Sequence, residues 1–198
     1  MKRSFFLLIL LAVMLIVAAC SGNSGDESEN QKKDKEASDN TLEDQQKADD
    51  QLEVKLKDSD KKPVGTVTLK EKQDGVEVVL DGHDLPKGTH AFHIHEKGMC
   101  EAPDYESAGG HFNPDNMKHG FDQKEGPHAG DLPNIVVGEN GKIKESYLAE
   151  NVTLKKGEKN SLLRKGGTSL VIHEGADDGK SQPAGDAGDR LACGVISK

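Results

Sequence analysis

Short runs in which apolar and polar residues alternate dominate the chain from residue 51 onward. The runs LEVKLKD, VGTVTLKE and GVEVVLDG follow one another closely, and the turn residues QDG separate the second from the third. Such alternation over roughly four to eight residues is typical of half-buried strands. Further runs extend the pattern, namely THAFHIHE, SLVIHE and LACGVI, and no segment repeats apolar residues with the period of a long helix. The pattern predicts an all-β domain.

The segment NIVVGENGKIKESYL sets Glu139, Asn140 and Gly141 between two such runs, which is a hairpin pattern. Before it, the residues from Lys97 to Leu132 form a stretch of 36 residues that is rich in Gly, Pro, Asp and His. A stretch of that length without strands is usually functional or held by cross-links. We therefore expect metal ligation and a disulfide to order it.

The first twenty residues carry Lys2 and Arg3 ahead of an apolar run that ends in small residues and Cys20. They resemble a bacterial lipoprotein signal, which predicts a signal peptide over residues 1–19 and lipid on Cys20. The alternative is an uncleaved membrane helix, but the apolar run over residues 5–19 has 15 residues, against the roughly 20 that a span needs. Lipidation would anchor the protein outside the cytoplasmic membrane.

Residues 21–50 contain ten acids, four lysines and no aromatic residue. Such a segment cannot bury a core, so residues 20–50 are predicted to be the lipidated cysteine and a disordered acidic tether. Residues 51–198 number 148, which suits one domain. The 25 acids of this domain exceed its 20 lysines and arginines, which argues against a nucleic-acid partner.

Two cysteines, Cys100 and Cys193, are left once Cys20 carries lipid. An exported protein lies in a compartment that permits disulfides, so we expect these two to pair. The alternative, that both are thiolate metal ligands, is weaker because neither lies in a CxxC or CxH cluster.

The run HAFHIHE concentrates three of the chain's eight histidines in seven positions. Side chains alternate between the two faces of a strand, so His93 and His95 project from one face, and Phe92 and Ile94 point into a core. Two imidazoles on one face make half a metal site, although an exposed strand face also tolerates histidine.

Four further histidines and one aspartate stand in short motifs: His111 in GGHFNP, His119 in KHGF, His128 and Asp131 in HAGDL, and His173 in VIHEGADD. Six histidines and one aspartate spread over two strands and one loop favour a metal site over surface histidines. A nitrogen-rich donor set with a carboxylate suits zinc and copper better than calcium or magnesium. The remaining two are interpreted otherwise, His83 as a solvated loop residue and His90 as a support for the strand through a backbone hydrogen bond.

The chain resembles the copper/zinc superoxide dismutase family in five motifs that occur in the family's order: HAFHIHE, GGHFNP, HAGDLPN, VIHEGADD and GDAGDRLACGV. The resemblance covers nearly the whole domain, from the strands before His90 to Cys193. It implies a Greek-key β-sandwich or barrel with long metal-binding and active-site loops. It also implies copper and zinc as cofactors and superoxide as the substrate, which is converted to hydrogen peroxide and dioxygen.

Position by position, the resemblance implies a copper site and a zinc site that share one residue. The copper ligands would be His93, His95, His111 and His173, and the zinc ligands would be His111, His119, His128 and Asp131. The shared His111 would bridge the metals and take a proton as copper is reduced. Zinc has no redox chemistry, so it would hold the bridge and the loop in place.

The resemblance also assigns roles to residues that bind no metal. Asp177 would accept hydrogen bonds from the outward nitrogens of His93 and His119 and so fix both rings. The disulfide between Cys100 and Cys193 would be the family's own, which clamps the long loop against the last strand.

Arg190 would lie beside the open copper position, where the resemblance implies that it attracts and orients the anion. The loop from Glu174 to Asp189 departs from a strongly positive channel, since it contains five acids and one lysine. This departure puts the degree of electrostatic steering in doubt, but it leaves the metal site intact.

The sequence therefore favours a superoxide dismutase that is lipid-anchored outside the cytoplasmic membrane. The alternative from another class is a surface copper buffer or carrier, which would need neither Arg190 nor the bridging His111. Met99 and Met117 could bind Cu(I) in such a carrier, but they are interpreted as packing residues. Dimer contacts vary between branches of the family, so homodimer formation stays open.

Overall fold

The computed structural model describes residues 51–198, and the predictions for the signal peptide, Cys20 and the acidic tether lie outside this range. The described residues contain nine strands and one short 3-10 turn at Glu106–Ala108. In chain order the strands are β1 Gln51–Asp58, β2 Pro63–Lys72, β3 Gly75–Gly82, β4 Gly88–His90, β5 Phe92–His95, β6 Ile135–Val137, β7 Ile143–Ala149, β8 Thr168–His173 and β9 Arg190–Ile196. The all-β prediction is confirmed.

Seven strands form one antiparallel sheet in the order β5-β8-β9-β1-β2-β3-β7, and β4 and β6 form a second, two-stranded sheet. The consecutive strands β1, β2 and β3 are neighbours, and long connections bring β7 beside β3 and the last strand, β9, beside β1. The large sheet curls around one core, because Ile94 near one end and Leu80 near the other belong to the same buried cluster. The predicted Greek-key fold is confirmed.

The run THAFHIHE is predicted as one strand, but the structure divides it at Ala91 into β4 and β5. Strand β4 pairs with β6, whereas β5 pairs with β8. At the break, the Ala91 N–H donates to the carbonyl of Gly175, and the Ala91 carbonyl accepts from the N–H of His173. The division lets one run belong to both sheets, and it places His93 and His95 opposite Val171 and Ser169 of β8.

The predicted hairpin of residues 134–148 is wrong as a strand pairing, although its turn is present. The N–H of Gly141 donates to the carbonyl of Gly138 at 2.9 Å, and Gly141 has a φ of 70°, which glycine adopts without strain. The flanking strands then diverge, since β6 pairs with β4 and β7 pairs with β3. The turn therefore connects the two sheets.

The predicted disulfide is confirmed, because Cys100 and Cys193 are bonded with their Cα atoms 5.7 Å apart. It joins the long loop to β9 across 93 residues of sequence. Tyr105 packs in the same small buried cluster, and its hydroxyl donates to the carbonyl of Lys57 at 2.9 Å. One end of the loop is thus fixed to the sheet by a covalent bond, a hydrogen bond and apolar packing.

We predict that the double variant Cys100→Ser/Cys193→Ser loses about 2–5 kcal/mol of unfolding free energy, because the disulfide restricts a long segment of the unfolded chain. Urea titration of the metal-free protein measures the difference. Reduction of the unmodified protein is the matched control, since it breaks the same bond without altering the packing of either residue. Equal unfolding free energies for the oxidised and reduced protein would contradict the clamping role.

Candidate metal centre

Strand β5 carries the first part of the site on its outer face. Its apolar residues Phe92 and Ile94 lie in the core, as the alternation predicts, while His93 and His95 belong to a cluster of potential metal donors. All four side chains are buried, because the long loops cover the outer face as well. The site is therefore an interior one, enclosed between sheet and loops.

Two groups of buried donors meet the geometric requirement for a metal site among the described residues, with the donor atoms of each group all within 4.8 Å of one another. The first group consists of His93, His95, His111 and His173. The second consists of His111, His119, His128 and Asp131. The structure thus brings together every residue predicted as a copper or zinc ligand, in the predicted groups, with His111 in both.

The first group is oriented by backbone carbonyls. Nδ1 of His95 donates to the carbonyl of Gly109 at 2.9 Å, and Nδ1 of His173 lies 3.3 Å from the carbonyl of Gly188. These contacts turn the two Nε2 atoms towards each other, at a separation of 3.3 Å. Neutral imidazoles held in this way present unprotonated nitrogens to a common point, and four such nitrogens suit copper.

The second group is arranged around one carboxylate oxygen. Oδ1 of Asp131 lies 2.9, 3.1 and 3.2 Å from Nδ1 of His111, His119 and His128, respectively. Donors that surround a tetrahedral ion at about 2.0 Å are about 3.3 Å apart, so these spacings fit zinc. Three nitrogens and one carboxylate oxygen are also a donor set that zinc prefers.

Within residues 51–198, three buried ring nitrogens have no hydrogen-bond partner: Nδ1 of His93, Nε2 of His111 and Nδ1 of His119. Nδ1 of His119 is close to Asp131, but its geometry is not that of a hydrogen bond. Buried polar atoms without partners are costly and rare, and these three point into the donor groups. The residues present therefore fit the two metals, with His111 offering one ring nitrogen to each group.

Asp177 joins the two groups from outside. Its Oδ2 accepts from Nε2 of His93 at 2.8 Å, and its Oδ1 accepts from Nε2 of His119 at 2.9 Å. Burial raises the pKa of this carboxyl, but the hydrogen bonds from the two rings outweigh burial and hold the pKa below its usual range. An ionised Asp177 fixes one ring in each group, which is the role that the resemblance implies for it.

Burial keeps three histidines of the first group neutral. Burial, together with the smaller effect of neighbouring imidazoles, lowers the pKa of His95 to about 2, of His173 to about 3 and of His111 to about 4. A neutral imidazole is the form that binds a metal ion, so these side chains need not lose a proton first.

His119 behaves in the opposite way. Burial lowers the pKa of this imidazole, but the hydrogen bond to Asp177 and the close carboxylate of Asp131 outweigh burial and raise it to about 9. For Asp131, burial raises the pKa, but the hydrogen bond from His111 and the close rings of His119 and His128 outweigh it and keep the pKa below its usual range. Without metal, the second group thus holds a proton on His119 against two carboxylates.

Arg190 opens β9 and lies opposite His173 in the register of β8 and β9. Its guanidinium donates to the carbonyls of Tyr105 and Gly109. The carbonyl of Gly109 also accepts from His95, so one backbone group orients both the guanidinium and a histidine of the first group. The positive charge of Arg190 contributes to the lowered pKa values of His95 and His173, which places it beside the first group.

Two of the remaining histidines lie where the sequence predicts, but the methionines do not. His90 is buried, with Nδ1 2.9 Å from the carbonyl of Glu174 and Nε2 2.8 Å from that of Pro86, so it supports the strand through backbone contacts. His83 is part-exposed in its turn. The interpretation of Met99 and Met117 as packing residues is wrong, since they are 43% and 37% exposed.

Two side-chain amides at the site are not predicted from the sequence. Asn134 donates to the carbonyl of Asp177 and accepts from its N–H, at 2.8 and 2.9 Å. Gln182 makes the same double contact with the backbone of His119, at 2.9 and 3.0 Å. Partners 43 and 63 residues away leave no local pattern, so only the folded loops reveal them.

Two donor groups that share one imidazole, covered by loops on a Greek-key sheet, define a protein with two adjacent metal sites. The family model described as copper/zinc superoxide dismutase (SODC) matches residues 63–196, and the chain belongs to this family. It is accordingly an oxidoreductase with copper and zinc as cofactors and superoxide as substrate. Among the described residues, no helix has the length and apolar character to span a membrane.

The chain is similar to several curated relatives. It is 52% identical to Cu-Zn superoxide dismutase 2 of Aquifex aeolicus over 142 residues, which make up 71% of this chain and 83% of the relative. It is 44% identical to the superoxide dismutase-like protein YojM of Bacillus subtilis over 143 residues, or 71% of this chain and 73% of the relative.

Solved structures show the same fold. A SOD-like protein from Bacillus subtilis has a TM-score of 0.70 and 42% identity, covering 73% of this chain and 97% of that one. The Cu/Zn superoxide dismutase from Brucella abortus has a TM-score of 0.60 and 31% identity, covering 74% of this chain and 99% of that one.

We predict that the apparent zinc affinity of the metal-free protein rises about tenfold per pH unit between pH 7 and 9, because zinc must displace one proton. The proton is that of His119, whose pKa is raised to about 9, so the affinity should level off above that pH. Chelator competition at each pH measures the affinity. A flat profile over this interval would contradict a protonated His119.

The same shift acts on the stability of the metal-free fold. A raised folded-state pKa stabilises the fold fully below the unfolded value of 6.5, and this contribution is lost as pH rises through about 9. The variant Asp177→Asn removes one of the two carboxylates that raise the pKa of His119. The pKa of His119 should therefore be lower in this variant, and its zinc affinity should level off at a lower pH.

Proposed function

We propose that this protein dismutates superoxide outside the cytoplasmic membrane, to which lipid on Cys20 anchors it. The observation that supports this function most directly is the pair of buried donor groups that share His111. The Arg190 guanidinium lies beside the first of them, which is called the copper-type group from here on, and the second is called the zinc-type group. The anchor rests on the sequence of residues 1–20, and the chemistry rests on the site.

Bound copper would supply one-electron redox chemistry, through which one superoxide is oxidised to dioxygen and a second superoxide, with two protons, is reduced to hydrogen peroxide. The chain's own residues would bind the metals, orient the anion and carry a proton. His93, His95 and His173 would hold copper in a buried site. Nε2 of His111 is buried, has no hydrogen-bond partner among the described residues and belongs to the same group, so this nitrogen would both bind copper and carry one of the protons that the reaction consumes.

Arg190 provides the charge that meets the anion. A guanidinium cannot bind a metal cation, but it attracts an anion and donates hydrogen bonds to it. Two backbone carbonyls already fix its orientation, so little conformational freedom is lost when superoxide arrives. A copper buffer or carrier would gain nothing from such a fixed cation or from a shared imidazole, and no contact among the described residues favours that alternative.

The decisive test is a dismutase assay on the protein reconstituted with copper and zinc, together with metal analysis. His173→Ala should lose copper and turnover while retaining zinc, because His173 belongs only to the first group. His128→Ala should lose zinc and loosen the loop while the other donor group still binds copper. Equal loss of both metals in both variants, with folding unimpaired, would contradict two separate sites.

Arg190→Glu should retain copper and zinc and lower turnover about tenfold or more, because it replaces attraction by repulsion beside the open position. Arg190→Lys should be intermediate, since the charge remains without the planar donor fork. Turnover is measured at matched copper occupancy. Unchanged turnover in Arg190→Glu would exclude the proposed guiding role.

Cys20→Ala should abolish lipidation and release the protein from the membrane fraction, because no other cysteine lies near the apolar segment. Fractionation of cells followed by immunoblotting, with radiolabelled fatty acid as tracer, measures both effects. A Cys20→Ala protein that still fractionates as a processed lipoprotein would refute the anchor. Dismutase activity of the released protein separates anchoring from catalysis.

A further inference from the structure

The loop of residues 174–189 forms hydrogen bonds with two parts of His119, a member of the zinc-type group. At the ring, Asp177 accepts from Nε2. At the backbone, Oε1 of Gln182 accepts from the N–H of His119 at 3.0 Å, and Nε2 of Gln182 donates to its carbonyl at 2.9 Å. Ring and main chain of one ligand are therefore fixed by the same loop, which supplies no zinc donor itself.

The backbone of His119 is fixed differently from that of the adjacent Gly120 and of His128, another member of the second group. The N–H groups of Gly120 and His128 both donate to Oδ2 of Asp131, so a donor of the group itself fixes them. His119 lies in a segment without helix or strand, and Gln182 provides the hydrogen bonds to its backbone that the structure shows. Without Gln182, the direction of the Nδ1 donor would depend on the ring contacts alone.

The two loops are also in close contact around this point. A Cβ at Gly185 would overlap the carboxylate of Asp177 and Nε2 of His119, and a Cβ at Gly120 would overlap the carbonyl of Gly179. A shift of the main chain at His119 would therefore meet a tightly packed neighbouring loop, and the Gln182 amide bonds that main chain on both its N–H and its carbonyl.

We propose that Gln182 is a positioning residue for zinc binding: it fixes the main chain of His119, and so the direction of its Nδ1 donor, from within the loop beside the copper-type group. Gln182 also lines a cleft of about 260 Å³ next to His173. Because a substitution there can alter access to that cleft, zinc affinity rather than turnover is the informative measurement. This choice also keeps the test independent of the proposed dismutase function.

The test compares three variants of the full-length, metal-free protein by competition for zinc with a chelator and by the visible spectrum of Co²⁺ bound in place of zinc. Gln182→Ala should weaken zinc binding about tenfold and change the cobalt spectrum, as loss of an outer hydrogen-bond partner does. Gln182→Glu keeps the acceptor for the His119 N–H and should recover part of the affinity. Gln123→Ala is the matched control. Gln123 lies in the loop of residues 97–132, which also contains His119, and its side chain makes no hydrogen bond with described residues.

Amide hydrogen exchange shows whether the contact itself has been broken. In Gln182→Ala the His119 amide should exchange faster, whereas the amide of Gly120, bonded to Asp131, should not change. Faster exchange at His119 with unchanged zinc affinity and cobalt spectrum would overturn the proposal, as would an equal loss of affinity in Gln123→Ala. If Gln182→Ala does not fold, partial loss of affinity in Gln182→Glu supports the proposal and full wild-type affinity overturns it.

Discussion

The two-residue repeat of an extended strand gives neighbouring residues of β5 opposite surroundings, and the metal centre is built on this constraint. Phe92 and Ile94 pack in the core, so His93 and His95 must lie on the other face. That face would be solvated in an ordinary sandwich, yet both imidazoles are buried. The loops of residues 97–132 and 174–189 must therefore cover it, and they must do so with almost no regular structure.

Two carboxylates make this covering stable. Burying a charge is costly unless it is paired and hydrogen-bonded. Asp131 meets the condition with three rings at Oδ1 and two backbone N–H groups at Oδ2, and Asp177 meets it with two rings and the N–H of Gly179. Each carboxylate joins segments far apart in sequence, so the imidazoles that bind metal also hold the loops together. The contacts that set the geometry of the metal ligands are thus the same contacts that order the loops.

The sequence predicts those parts of this arrangement that local chemistry determines. Alternation predicts the strands and the faces of β5, the ligand types indicate a zinc or copper site, and the resemblance to the family implies the division into two donor groups. The break at Ala91 is not visible, because it is set by the pairing of β4 with β6 and of β5 with β8. The turn at Gly141 is visible, but the partners of its strands are not, since pairing depends on the whole sheet. Asn134 and Gln182 are missed for a related reason, because an amide that bonds a distant backbone has no local signature.

The acids of the loop from Glu174 to Asp189 illustrate why formal charge is a poor guide to the field at a site. Asp177 is bonded to two rings, and the Asp178 carboxylate accepts from the N–H groups of Lys180 and Ser181 within its own turn. Among the residues that line the cleft beside His173, Asp186 is the one acid. The cleft that His173 lines therefore contains one of the five acids, and the guanidinium of Arg190 is fixed near His95 by the carbonyls of Tyr105 and Gly109. Because charges are screened over about 10 Å at 0.1 M salt, groups close to the site affect an approaching anion more than distant surface charges do.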